Sequence, residues 1–175
     1  MTPMNSPLSK ILLDSDTIAT RVRELGILIS SDMSGLSPCI VPVMDGGMIF
    51  AADLMREFSL PVTLLPIRAS SYGAGIESSG TVRLPEGIPE EVRGRDLLLV
   101  DDILDTGRTM AVLRDGLLAA GALSVRSCVL LRKEHARHLH ADYIGFEIPD
   151  SFVVGYGLDL AGLHRNLPCI GIPKL

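Results

Sequence analysis

One short stretch near the middle of the chain dictates its architecture. Leu97-Leu98-Leu99-Val100 is an unbroken apolar run, followed by Asp101-Asp102-Ile103-Leu104-Asp105-Thr106-Gly107-Arg108-Thr109-Met110. The run is too short for a helix and suits a strand buried on both faces. Asp105-Thr106-Gly107 reads as a turn. Thr109 to Ala120 then places Met110, Leu113, Leu117 and Leu118 on one helical face. A buried strand therefore carries two adjacent carboxylates, Asp101 and Asp102, to its carboxyl end, where a helix begins. Backbone N–H groups at a helix N-terminus have no partner within the helix and favour phosphate. Paired carboxylates suit a hard cation or sugar hydroxyls.

The rest of the chain repeats the same grammar. Ile11 to Leu13 reads as a short strand. Asp14 or Asp16 can cap a helix carrying Ile18, Val22, Leu25 and Ile29, with Gly35 as its stop. Cys39 to Met44 is a buried strand, broken by Asp45-Gly46-Gly47. Met48 to Phe58 is a helix and Pro61 to Ile67 the next strand. Ser70 to Gly80, rich in Gly and Ser, and Leu84 to Gly94, with Pro85, Gly87 and Pro89, read as loops. Ser124 to Leu131, Tyr143 to Ile148 and Phe152 to Tyr156 are further strands. Alternating strands and helices imply an α/β fold, a mostly parallel twisted sheet flanked by helices, with ligands at the strands' carboxyl ends. Asp45, Ser71 and Asp101 all fall there. No repeat or linker divides the 175 residues, so residues 1–175 are expected to form one domain.

Composition narrows the function classes. A formal charge of −5 and a pI near 5.3 argue against a general nucleic-acid binder. Aromatic residues are only 4% and Trp is absent, so the core must be aliphatic. Cys39, Cys128 and Cys169 sit in apolar contexts without metal spacing, as reduced buried thiols do. Neither a signal-peptide pattern nor a membrane-length apolar run is visible, so a cytoplasmic location is expected. There is no Gly-x-Gly-x-x-Gly opening a helix and no Gly-Lys-Ser/Thr, so neither nucleotide-fold fingerprint competes.

Val100 to Met110 resembles the 5-phosphoribosyl-1-pyrophosphate (PRPP) motif of the purine phosphoribosyltransferases. Leu130 to Ala136, Asp142 to Asp159 and Arg165-Asn166-Leu167-Pro168 extend that likeness in order to the C-terminus. Together they are similar to the hypoxanthine-guanine phosphoribosyltransferases. The resemblance implies a type I phosphoribosyltransferase core with a small hood built from the chain ends. It implies transfer of phosphoribosyl from PRPP to hypoxanthine or guanine, giving IMP or GMP and pyrophosphate, with Mg²⁺. It also implies a homodimer or homotetramer.

Roles follow position by position from the resemblance. Asp105 becomes the general base for the purine N7 proton, where a bland reading makes it a helix cap. Asp101 and Asp102 face the ribose hydroxyls and Mg²⁺. Thr106, Gly107, Arg108 and Thr109 hold the 5′-phosphate. Lys133, otherwise a surface charge, donates to the purine O6. Phe152 stacks on the purine and Val153 offers backbone groups to its edge, where both could be plain core. Asp159 approaches the purine and a second Mg²⁺, and Arg165 meets pyrophosphate. Ser71 and Tyr72 belong to a lid over the reacting centre. His135, His138 and His140 read as surface residues. One position departs from the pattern. The loop that contacts pyrophosphate through its backbone, sometimes at a non-proline cis peptide, usually carries Lys or Arg; here it reads Met44-Asp45-Gly46-Gly47. Asp45 and Gly46 are thus expected to meet pyrophosphate through loop amides with the Asp45 side chain turned away, the alternative being Mg²⁺ bridging that carboxylate to pyrophosphate. Two other readings are weighed: an enzyme that prefers xanthine or is narrow for hypoxanthine, and a PRPP-sensing regulator that binds nucleic acid. The second calls for a basic face or an added DNA-binding segment, and neither is visible.

Overall fold

The computed structural model describes residues 7–71, 82–83 and 87–174. In chain order the elements are β1 (Leu8–Leu13), α1 (Ser15–Asp32), β2 (Cys39–Met44), α2 (Gly47–Arg56), β3 (Thr63–Leu64), β4 (Ile67–Arg68), β5 (Ser70–Ser71), β6 (Val82–Arg83), β7 (Asp96–Leu104), α3 (Arg108–Ala119), β8 (Ser124–Lys133), β9 (Tyr143–Ile148) and β10 (Ile170–Pro173). Short 3₁₀ turns at Glu90–Val92 and Glu134–Ala136 complete them.

The central sheet runs β3-β2-β7-β8-β9, with β4 also on β2, and every pairing in it is parallel. Side chains on β7 alternate between the sheet's two faces, as a pleated strand demands. Leu98 and Val100 join Ile18, Val22, Leu25 and Ile29 of α1 and Phe50 and Leu54 of α2 in one core cluster. Leu97 and Leu99 join Met110, Leu113 and Leu117 of α3 in the other. The expected mostly parallel sheet flanked by helices is thus the observed one.

Asp14 caps α1, its carboxylate accepting from the Thr17 N–H at 2.8 Å. The helix stops at Asp32, and the turn beyond it ends with Gly35 at a φ of +80°. The chain ends form the expected hood: β1 pairs antiparallel with β10, a strand that carries no strong sequence signal.

Three expectations need correction. Pro61 to Ile67 is not one strand but two short segments. The gap between them falls opposite Val41–Pro42, because Ile40 pairs with Leu64 and Val43 with Ile67. Pro42 and Pro66 lack N–H groups, so the ladder has nothing to continue it there. Phe152 to Tyr156 is not a strand. Gly155, Tyr156 and Gly157 have φ values of +101°, +50° and +104°, which no extended strand accommodates. Among the described residues, a single bridge, Val154 to Gly171, pairs this segment with the hood. Leu118, expected on the buried face of α3, is 43% exposed. Cys39 and Cys128 are buried as expected, while Cys169 is only half-buried; all three are free thiols. Among the described residues, no helix is long and apolar enough to cross a membrane.

The two helix faces separate by mutation. Leu113→Ala empties a fully buried position and is expected to lower unfolding free energy by about 2–5 kcal/mol. Leu118→Ala is expected to change it by about 0.5 kcal/mol or less. Urea unfolding of the two variants checks the assignment; equal losses would contradict it.

Candidate functional site

A cavity of about 300 Å³ opens at the carboxyl ends of β2 and β7 and the N-terminus of α3. Its lining brings together Gly46, Asp101, Asp102, Asp105, Thr106, Gly107, Thr109, Asp159 and Arg165. The sheet's parallel order explains this convergence: residues distant in sequence leave neighbouring strands at the same edge.

Gly107 is the N-cap of α3, with a φ of +73° and no side-chain cap. Asp105 is therefore not the cap that a bland reading would make it. No side chain caps the first N–H groups of α3, and Gly107, Thr109 and Met110 line the cavity, so this end is a ready anion site. Asp105 lines the cavity, and its carboxylate pairs instead with the end of β8 and the turn after it. Lys133 Nζ, at the end of β8, donates to Asp105 Oδ2 at 2.8 Å. β7 and β8 stay paired as far as Leu104 and Arg132, so Asp105 and Lys133 stand one step beyond.

Asp101 and Asp102 sit deeper. Asp101 is buried, and its Oδ1 accepts from the Asp102 N–H at 2.9 Å. Burial, then repulsion from Asp102, pushes the Asp101 carboxyl well above the usual carboxylate range. Burial also raises Asp102, opposed by hydrogen bonds and by the nearby Arg165 charge. Gly46 lies against the Asp102 carboxylate so closely that any Cβ would overlap it. The close packing here is thus made possible by the glycine.

Arg165 is held by Asp159, Nη2 to Oδ1 at 2.7 Å, and it also donates to the Gly157 carbonyl. Asp159 Oδ2 in turn accepts from the Gly162 N–H at 2.7 Å. Phe152 is 54% exposed, so it is not core, whereas the Val153 side chain is buried in the core and leaves only its backbone for recognition. Lys133, Arg108, Phe152, Val153 and Asp45 lie outside the cavity lining. Ser71 pairs with Val82 in the β5–β6 ribbon. Tyr72 and most of the expected lid lie outside the described residues.

Two features escaped sequence reasoning. The first is Arg68. The Met44–Asp45 peptide is cis, and the Asp45 carboxylate turns to a paired guanidinium, at 3.0 Å from Arg68 Nη2 and 3.3 Å from Nη1. β4 stands beside β2 with Arg68 opposite Met44, which delivers this charge. The signal was an Arg at the end of a strand whose own breaks were unreadable. The second is His135. It is half-exposed, as a surface residue would be, yet its ring joins Asp105 to Asp150.

Residues 9–160 match the phosphoribosyl transferase domain family. The chain belongs to the phosphoribosyltransferases, of the type I fold. Within them it belongs to the hypoxanthine-guanine phosphoribosyltransferase family. It is 43% identical over 162 residues to the hypoxanthine-guanine phosphoribosyltransferase of Aquifex aeolicus, covering 91% of each chain. It is also 39% identical over 173 residues to the bifunctional protein TilS/HprT of Listeria innocua, and there it spans 98% of itself but only 27% of that longer relative. The structure superposes on a hypoxanthine phosphoribosyltransferase of Staphylococcus aureus with a TM-score of 0.89 at 34% identity, covering 98% and 96% of the two chains. The Trypanosoma cruzi enzyme in complex with its product IMP gives 0.86 at 33% identity, covering 97% and 96%.

The buried acid pair predicts a pH signature of the ligand-free protein. A carboxyl whose pKa rises on folding contributes stability below the unfolded value, near 3.8, and that stability is lost as pH climbs through the raised value. Asp101→Asn keeps the acceptor for the Asp102 amide and removes the charge. It is expected to unfold at higher denaturant than the wild type at pH 7, with the difference closing toward pH 4. A difference that stays constant with pH would contradict the burial argument.

Proposed function

We propose that this chain is a purine-salvage enzyme that transfers phosphoribosyl from PRPP to hypoxanthine or guanine, giving IMP or GMP and pyrophosphate. The observation that carries the reading is the Asp105–Lys133 pair at the mouth of a phosphate-suited cavity. A base and a donor at that spacing address one edge of a 6-oxopurine. Asp105 takes the N7 proton as N9 bonds to C1 of the ribose and pyrophosphate leaves. Lys133 donates to O6; its ammonium has three N–H groups, so it can serve Asp105 and O6 together. Adenine presents a donor where O6 would be, and two opposed donors disfavour it. Phe152, exposed on the segment after β9, stacks on the purine in this reading, and the Val153 backbone meets its rim.

The uncapped α3 N-terminus supports a 5′-phosphate role for Thr106, Gly107, Arg108 and Thr109. Asp101 and Asp102 accept from the ribose hydroxyls, which offsets their mutual repulsion. Arg165, oriented by Asp159, faces pyrophosphate with its planar fork. Lid residues Ser71 and Tyr72 close over the reacting carbon and keep water from it.

The donor set fits Mg²⁺: Asp101, Asp102 and Asp159 offer hard carboxylate oxygens around one cavity. Among the described residues no three such groups enclose a metal by themselves, so Mg²⁺ would take its further ligands from phosphate oxygens and water. When bound, Mg²⁺ neutralises charge building on the departing pyrophosphate. A cytoplasmic, single-domain homodimer or homotetramer remains the arrangement this reading carries. No observation favours the xanthine-preferring or regulatory alternatives.

Two expected outcomes test the reading. Asp105→Asn is expected to lower kcat about 10²–10⁴-fold with little change in PRPP affinity; near-normal turnover would remove Asp105 from its role. For the pyrophosphate loop, Arg68→Ala frees the Asp45 carboxylate beside a polyanion. It is expected to raise the KM for PRPP by roughly three- to tenfold, on the order of 1 kcal/mol of screened repulsion. Asp45→Ala alone is expected to leave it within about threefold, and the double variant to lie near the wild type. Steady-state titrations with PRPP at fixed free Mg²⁺ measure all three; a double variant as poor as Arg68→Ala would mean that Arg68 touches PRPP itself.

A further inference from the structure

The imidazole of His135 stands between two carboxylates. Nε2 lies 2.8 Å from Asp105 Oδ1, and Nδ1 lies 2.6 Å from Asp150 Oδ1. The backbone N–H of His135 also donates to Asp150 Oδ1, at 3.2 Å. Lys133 holds the other Asp105 oxygen, Oδ2. Ionised carboxylates only accept hydrogen bonds, so a ring nitrogen facing each of them must carry a proton. The geometry therefore calls for the imidazolium.

We propose that His135 is a positioning residue for the reaction: its imidazolium clamps Asp105 through Oδ1, so that Oδ2 is aimed at the purine N7, and through Asp150 it fastens that carboxylate to the Ser151–Val153 segment on which the purine lies. The inference rests on Asp105 being the base. Lys133 bonds Asp105 through Oδ2, the oxygen that also meets N7, which leaves Oδ1 to His135. His135 contacts no purine atom in this scheme; its effect passes through Asp105 and Asp150.

The surroundings agree. The hydrogen bond to Asp150, against desolvation and with further help from the Asp150 charge and from Asp105, holds the imidazole above its ordinary pKa. The charged groups facing the ring are Asp105 from the turn after β7, Asp150 from the segment after β9, and Lys133 from the end of β8. Glu134 and Arg137 on the same short turn are occupied with each other, and Arg137 also with Glu147. The His138 ring engages the His135 carbonyl at 3.0 Å rather than its imidazole.

Conservative replacements separate the two bonds. A Gln amide nitrogen reaches about as far as Nε2, and an Asn amide nitrogen about as far as Nδ1. Single-turnover rates with PRPP, Mg²⁺ and hypoxanthine are measured for His135→Ala, His135→Asn and His135→Gln. Ala and Asn are expected to slow the chemical step roughly tenfold, the scale of one lost hydrogen bond to a charged group. The KM for PRPP is expected to stay within about twofold of wild type, since the phosphate side of the site is untouched. Gln is expected to recover most of the rate. The wild-type rate is expected to fall on the alkaline side as the ring loses its second proton, and Gln, which has no such proton, to lack that limb. A Gln variant no faster than Ala, an Ala variant as fast as wild type, or losses confined to the KM for PRPP would overturn the proposal. Asp105→Asn run alongside separates the failures. If it is slow while His135→Ala is normal, only the positioning role is lost; if it turns over normally, both assignments fall.

Discussion

The site depends on the parallel pairing of β7 with β8. That register runs unshifted from Asp96 opposite Ser124 to Leu104 opposite Arg132, and one step later it sets Asp105 and Lys133 2.8 Å apart. A slip by one residue would turn every side chain of one strand to the other face. It would also expel Leu98 or Leu99 from the layer it fills. The two helix layers thus enforce the geometry of the reacting edge.

Charge placement is the second constraint. A chain of net charge −5 sets out to hold a polyanion, and its cavity is walled by Asp101, Asp102, Asp105 and Asp159. The compensation is local. Arg165 sits beside Asp102 and Asp159, Lys133 on Asp105, Arg68 on Asp45, and the α3 N-terminus offers unpaired N–H groups. The least compensated of these acids is the buried Asp101, and with Asp102 it is suited to hydroxyls and a cation. Their burial keeps them destabilising until a ligand arrives, a cost in stability of the kind binding sites commonly carry.

What could be read from the residues followed from local rules. The β7–α3 unit was legible because an apolar run, an acid pair and a 3.6-residue period coincide within one window. The site residues at strand ends were legible for the same reason. Phe152 to Tyr156 was not, since alternating apolar residues look strand-like even where Gly155 and Gly157 turn the backbone left-handed. The break opposite Pro42 depends on two prolines from different strands facing each other, and pairing is not a local property. Arg68 and His135 stayed hidden for that reason too: the partners of Arg68 and His135 lie 23 and, for Asp105, 30 residues away, and only the sheet brings them together. The β1–β10 hood joins the two ends of the chain and was expected only through resemblance.

The central claim is that Asp105 and Lys133 read a 6-oxopurine while the rest of the cavity holds PRPP. The relative kcat/KM for hypoxanthine, guanine, xanthine and adenine, with PRPP and Mg²⁺, tests it most directly. The account predicts hypoxanthine and guanine above adenine by at least about a hundredfold, because Lys133 meets an acceptor in one case and a donor in the other. Adenine used as well as either of them would contradict it.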